Sequence, residues 1–274
     1  MAPQTGFKNR YIILSLYIKL ISRMSMNPFS AERYIQINTK YRTSPTDNSS
    51  DCKVELSKIL RRGVYRLVYF LFPNTIWTIN STNDKIYIQE EDGEVVECTI
   101  EHGFYEYDTI PSAIEDALNT PDGTTNMYEI TYSDIKRKMT ITSANKNFRI
   151  LFDNKLNTCH EVMGFNNVDT GYAIDHTSNG LVNLDAIHTL NVSVDGISSV
   201  SQKHLHGTSF VVPIPAEVFG YVNYLPDANF EQTIYVHTDK RIISLKLSDE
   251  QNNPIDLNGS DWMFIIERIA DVDD

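Results

Sequence analysis

The 274 residues carry 24 basic against 36 acidic side chains, a net charge of -12, with 41% apolar and 22% charged residues. That is enough chain for one large all-β domain or two ordinary ones, and the fifteen Tyr and twelve Phe lean toward sheet. The excess of acid argues against a nucleic-acid binder, which needs a basic face to displace counterions from phosphate. One local basic patch, Lys58, Arg61 and Arg62, reads as a solvated turn.

The chain opens with an apolar stretch, YIILSLYIKLI from Tyr11 to Ile21. It is shorter than the roughly 20 residues that span a bilayer, and no small-residue cleavage site follows it. Residues 1–28 are therefore read as an N-terminal extension or arm, upstream of a start at Met24 or Met26 or docked on a partner, and residues 29–274 as the folded domain.

From Phe29 the pattern is a succession of short strands. RYIQINTKYR puts Ile35 and Ile37 on one face, and CKVELS does the same with Val54 and Leu56. YRLVYFLF is apolar on both faces, which predicts a central strand ending at Pro73-Asn74. TIWTIN is predicted as a further strand, with Ile76 and Thr78 opposite Trp77 and Ile79. KIYIQE and VVECTIEH flank an Asp-Gly turn and are predicted to form a hairpin. Turns at this spacing signal an all-β sandwich.

One helix is predicted. In YDTIPSAIEDALNT, the residues Ile110, Ala113, Ile114, Ala117 and Leu118 form one apolar stripe, with Asp108 or Thr109 as cap and Pro111 in the first turn. Three strands follow: MYEITYS (Tyr128, Ile130, Tyr132 on one face), KMTITS (Met139, Ile141) and NFRILF (Phe148, Ile150, Phe152). Residues 94–165 thus form a β-α-β-β-β unit, a helix-containing insertion in the sandwich or a unit laid across one of its ends. Asn166 to Asp185 is polar and turn-rich, and is predicted as an exposed loop or internal boundary.

Strands resume with TLNVSVDG (Leu190, Val192, Val194 inward), and ISSVSQKHLHG is predicted as another loop. TSFVVPIPAE is predicted as an edge strand because of Pro213 and Pro215. RIISLKLS buries Ile243, Leu245 and Leu247. After the turn residues Asn253-Pro254 and Asn258-Gly259, WMFIIERI is predicted as a strand buried on both faces, with Trp262, Phe264 and Ile266 on one side and Met263, Ile265 and Ile269 on the other.

No phosphate-binding glycine loop, nucleophile elbow or zinc-protease motif occurs. Cys52, Cys98 and Cys159 are spaced neither as a disulfide framework nor as a zinc site, and Cys98, alternating with Val96 and Ile100, reads as a buried thiol in a reducing compartment. His204 and His206 stand two apart without a near third ligand. Asp249, Glu250, Asn252 and Asp256 supply oxygen donors for Ca²⁺ but lack the spacing of a known loop. Glu90, Glu91, Asp92 and Asp271 to Asp274 read as solvated turn and terminal acids. The sequons at Asn48, Asn80, Asn191 and Asn258 read as chance matches. No catalytic residue, cofactor or metal site is expected. Tyr105, Tyr107 and Tyr172 are the aromatics that stack on sugar rings if the chain is instead a receptor- or carbohydrate-binding module, spike-like or lectin-like, and a sandwich glycoside hydrolase would need a carboxylate pair facing across a cleft.

Three stretches carry a resemblance. YRTSPTDNSSDCKVELSKIL resembles the opening of the single-jelly-roll minor capsid (penton) proteins of Polinton-like viruses, virophages and related large DNA viruses. GFYEYDTIPSAIEDALN and the strands after it resemble the helix-and-strands unit of these virion proteins, with Gly103, Tyr105, Ile110, Ile114 and Leu118 at the matching positions and Gly164-Phe165 at the end. LKLSDEQNNPIDLNGSDWMFIIERI resembles their closing hairpin, through Leu257, Asn258, Gly259, Asp261 and Trp262. The resemblance implies a jelly-roll β-sandwich that forms homopentamers at icosahedral vertices of the virion capsid, assembled in the host cytoplasm or nucleus. It implies contact with a double-jelly-roll major capsid protein, and an arm that reaches an internal membrane or another minor capsid protein. It carries no active site.

Overall fold

The computed structural model describes residues 33–120, 127–185, 187–199, 208–214, 220–227 and 231–270. The apolar stretch Tyr11 to Ile21, the arm as a whole, His204, His206 and Asp271 to Asp274 lie outside the described residues. The chain divides into two compact units. One holds the described residues up to Asn74 and those from Thr189 on, apart from a short segment outside the described residues; the other is Thr75–His188.

The first unit begins with β1 (Tyr34–Asn38), β2 (Asp51–Leu60) and β3 (Gly63–Pro73). The predicted alternation holds: Ile35, Ile37, Val54 and Leu56 are buried, as are Tyr65, Leu67, Phe70 and Phe72 of β3. The second unit contributes β4 (Lys85–Glu90), β5 (Val95–Thr99), α1 (Ile110–Asn119), β6 (Tyr128–Ser133), β7 (Lys138–Ser143), β8 (Phe148–Leu151), α2 (His160–Met163) and β9 (Asp175–Thr177). The chain returns to the first unit as β10 (Thr189–Val194), β11 (Ile197–Ser199), β12 (Phe210–Pro213), β13 (Tyr221–Tyr224), β14 (Thr233–Val236), β15 (Lys240–Ser248) and β16 (Met263–Ala270).

The strand order of the first unit identifies the fold. One sheet runs β1-β16-β3-β14-β11, with β13 also paired to β3, and the other runs β12-β10-β15-β2. β13 and β14 pair with opposite ends of β3, so they serve as one interrupted strand. With β11 set aside, the eight framework strands taken in chain order lie 1-8-3-6 in one sheet and 2-7-4-5 in the other. That is the jelly-roll order, which interleaves the two ends of the chain. The inner faces meet through Phe210 and Phe264, one from each sheet, with ring centroids 5.6 Å apart. β3 is central, as predicted, between β16 and the β13/β14 pair, while β12, with Pro213, takes the predicted edge.

β15 and β16 are not a hairpin. They lie in different sheets, and the segment between them crosses the sandwich. Alternation fixes which face a strand buries but not which sheet it joins, so the sequence pattern suits either arrangement. β16 is buried on both faces from Met263 to Ile266, but Ile269 is 38% exposed because the register with β3 skips it between Arg268 and Ala270.

The second unit holds two three-stranded sheets. β5-β4-β8 form one sheet and β6-β7-β9 another. Ile110, Ile114 and Leu118 of α1 are fully buried in a core shared with Ile86, Ile88, Met139, Ile141, Phe148 and Ile150; each such side chain is worth roughly 1.5–3 kcal/mol of burial. The expected β-α-β-β-β succession is present, and the compact unit reaches further than residues 94–165 at both ends, because β4 pairs with β5 and β8 and β9 pairs with β7.

Three local expectations are corrected. TIWTIN is not a strand: Ile79 alone bridges, exchanging backbone hydrogen bonds of 3.1 and 3.0 Å with Gly103, and Asn80 and Asn83 turn the chain. The segment Asn166 to Asp185 is not simply an exposed loop, since Ala173 pairs with Phe148 and β9 adds to β7. ISSVSQKHLHG begins as β11, paired with β14. The helix cap also differs: Thr109 makes no side-chain cap bond, and its hydroxyl bonds the backbone of Glu106 instead.

Candidate functional site

A surface cleft in the second unit is built mainly by the segment that joins β5 to α1. His102 bonds the Asp84 carboxylate at 2.8 Å, and Gly103 bridges to Ile79, which anchors the start of the segment. The Tyr105 hydroxyl donates to the Glu101 carbonyl at 2.8 Å, and the Tyr105 amide donates to the Thr78 hydroxyl. The amide of Thr109 donates to the Glu106 carbonyl at 3.1 Å, closing the segment into the helix. Held this way, Y-E-Y-D alternates in environment: Tyr105 and Tyr107 are half-buried against the core, and Glu106 and Asp108 are exposed.

β6 supplies the opposite wall. The Tyr132 ring stacks on Tyr107 with centroids 5.3 Å apart and planes at 22°, and the Arg137 guanidinium lies 5.6 Å from the Tyr107 centroid. Asp134, Leu184 and Asp185 complete the lining of a cleft of about 630 Å³. The Tyr132 hydroxyl oxygen is buried and has no hydrogen-bond partner. The lining therefore offers aromatic side chains and four exposed carboxylates.

Of the three tyrosines singled out from sequence, Tyr105 and Tyr107 converge here. Tyr172 does not: it is exposed and lies under the Arg149 guanidinium, 5.2 Å from its ring centroid. The sequence pattern puts Tyr132 on one face with Tyr128 and Ile130, and its stacking on Tyr107 depends on a contact 25 residues away that periodicity does not carry. Asp134 and Asp185 carried no signal among thirty-six acids.

The other candidates resolve as structural. The Asp249 carboxylate accepts from the amides of Gln251 (2.9 Å) and Asn253 (2.7 Å) and from the Asn253 side chain (2.8 Å), so it organises its own loop. Among the described residues no group of three or more His, Cys, Asp or Glu side chains is placed to hold a metal. Glu90 is not a solvated turn acid: it ends β4, is buried, and accepts from the Tyr128 hydroxyl at 3.3 Å. Burial, with the Glu90 carboxylate beside it, pushes the Tyr128 phenol well up from its usual range. Arg62 of the basic patch bonds the Tyr235 hydroxyl at 3.2 Å. Asn191 is buried and its amide donates to the Asp249 carbonyl, which leaves that sequon inaccessible in the folded chain.

All three thiols are free and buried. Burial pushes Cys52 up to about 11 and Cys98 up to about 12, and Cys159 further in the same direction. Thiolate is the reactive form, so an aromatic disulfide reagent at pH 8 is expected to label none of the three in the native protein within minutes and all three in denaturant. Rapid native labelling of any one would place that cysteine at the surface.

No family model matches the chain, and no curated protein does. Among solved structures, the crystal structure of the selenomethionine-labelled mavirus penton protein is similar, with a TM-score of 0.45 and 12% sequence identity over 86% of this chain and 100% of that one.

Proposed function

We propose that the chain is a structural capsid subunit, a penton protomer that assembles with four further copies at an icosahedral vertex of a virion. The observation that supports it most is the strand order 1-8-3-6 over 2-7-4-5, with a separate compact unit inserted between the third and fourth framework strands. The residues that carry the resemblance to the penton proteins lie in the inserted unit (Gly103, Tyr105, Ile110, Ile114 and Leu118) and before the last strand (Leu257 to Trp262).

Its mechanism is shape. A closed ring needs head-to-tail contacts between two different patches of each protomer, and a rigid two-sheet wall presents such patches. Ile59 and Ile242, on the neighbouring strands β2 and β15, are 51% and 52% exposed, and supply apolar surface for such a contact. The subunit sits in the capsid beside a double-jelly-roll major capsid protein and has no catalytic role.

Sedimentation of the purified chain at micromolar concentration tests this reading. A species of five times the 31.3 kDa protomer is expected. A monomer that persists at high concentration contradicts it.

A further inference from the structure

We infer that the open edge of β5 is completed by the N-terminal arm of this chain, residues 8–23, which adds to it as a further strand. β5 lies in the inserted unit, and the inference does not depend on the assembly reading.

The edges of β6 and β8 in that unit are closed. On β6, the Asn119 side chain exchanges two hydrogen bonds of 2.9 Å with the backbone of Tyr128, and the Ile130 amide donates to the Glu115 carboxylate at 3.1 Å. On β8, Phe148 exchanges backbone bonds with Ala173, and the Ile150 amide donates to the Thr170 hydroxyl at 2.8 Å. β5 has no such cover. It pairs with β4 in unbroken register, and just beyond it the Ile100 amide donates to the Asp84 carbonyl at 2.8 Å. Alternation then turns the backbone groups of Val95, Glu97 and Thr99 away from β4, and among the described residues no hydrogen bond reaches them. Edge strands are ordinarily guarded by lysine, proline or a bulge. β5 has none of the three, and its one charge, Glu97, is engaged by Lys85 at 3.0 Å.

The arm matches this edge in charge and in pattern. From Glu91 to Glu101 there are five acids and no basic residue. Glu94 and Glu101 are exposed and form no ion pair among the described residues. Residues 1–31 hold Lys8, Arg10, Lys19 and Arg23 and no acid, in a chain whose net charge is -12. Tyr11 to Ile21 also alternates: Ile12, Leu14, Leu16, Ile18 and Leu20 share one face, and Ser15 and Lys19 stand on the other. Its tyrosines and isoleucines favour strand. Added to β5, the aliphatic face continues the side on which Cys98 and Ile100 are fully buried, and Lys19 falls on the side of Glu97. Strand addition draws affinity from main-chain bonds and specificity from alternate side chains. A second copy of β5 fits this edge less well, because acids would then stand opposite acids.

The test uses the full chain with the photo-crosslinking residue benzoylphenylalanine placed at Val95, whose side chain is 43% exposed. After irradiation, mass spectrometry of the digest should map the crosslinks to residues 8–23. Glu97→Pro, made in that chain, removes an outward amide that the β4 ladder does not use, and should abolish those crosslinks. Glu94→Lys/Glu101→Lys reverses the charge on either side of β5 and should lower their yield several-fold at low salt. It changes exposed side chains alone and serves if the proline variant melts early. Crosslinks that land on β5 of a second copy or on any segment outside the arm, no crosslink at all, or a yield that neither variant alters overturns the inference.

Discussion

Replacing Trp262 with alanine is expected to lower the unfolding free energy by about 3–5 kcal/mol, the upper range for a buried large-to-small change. The side chain is 1% exposed and stacks on Phe70 (5.4 Å) and Phe264 (5.8 Å) in the jelly-roll core. It also works as a latch. Its indole N–H donates to the Ser49 carbonyl at 2.8 Å, tying the start of β16 to the loop before β2. Its backbone amide donates to the Thr39 hydroxyl at 3.0 Å, and its carbonyl accepts from the Thr39 amide at 3.0 Å, tying the same point to the turn after β1. Truncation leaves a cavity and takes the stronger donor from the Ser49 carbonyl, which keeps only the Cys52 thiol at 3.5 Å. Trp262→Phe keeps most of the ring packing and loses the indole donor, so it should cost only about 1–2 kcal/mol. Urea unfolding followed by circular dichroism measures both. A loss below about 1 kcal/mol for the alanine variant would mean that Trp262 does not close the core.

Gly164→Ala should cost about 2–4 kcal/mol, from two sources. Gly164 ends α2 in the left-handed region at φ 78°, with its amide on the Glu161 carbonyl. That conformation alone penalises alanine by about 1 kcal/mol or more. A Cβ there would also stand 2.5 Å from the Leu181 carbonyl oxygen and 2.6 Å from its carbon, both backbone atoms. The Gly180 amide donates to the Gly164 carbonyl at 2.7 Å, so the two segments are held together and cannot part cheaply. Overpacking of this kind adds roughly 1–3 kcal/mol. Gly259 separates the two contributions: its φ is 75°, but a Cβ there meets nothing within 4 Å. Gly259→Ala should therefore show the conformational penalty alone. Equal costs at the two positions would show that the close approach of Leu181 to Gly164 is absent in solution.

Much of the scaffold was legible residue by residue. Ile243, Leu245 and Leu247 are buried as their period-two spacing requires, and so are Leu190, Val192 and Val194, because alternation follows directly from the pleat. Pairing was less legible. The strands β15 and β16 read as a hairpin because they are consecutive, and only the jelly-roll order puts them in opposite sheets. β9 was hidden because DHT has no apolar alternation; it is held by backbone pairing to β7 and by His176, which bonds the Phe148 carbonyl at 2.8 Å. TIWTIN differs the other way, with a strand-like pattern whose strand pairing among the described residues is the single bridge at Ile79.

The candidate site was half visible. Tyr105 and Tyr107 stand out as aromatics in an acidic loop, and the turn chemistry around them is local. Tyr132 reaches them only because β6 packs alongside α1 in the same core, and the carboxylates become distinctive only once placed around one cleft. Tyr172 failed as a site residue because its ring is engaged by Arg149 elsewhere on the unit.

Electron microscopy of the purified chain tests the proposed capsid role most directly, because symmetry distinguishes a ring-forming protomer from a free-standing binding module. Rings with five-fold symmetry, one jelly-roll protomer per segment, are the expected result. Single protomers or two-fold dimers at the same concentration would contradict it.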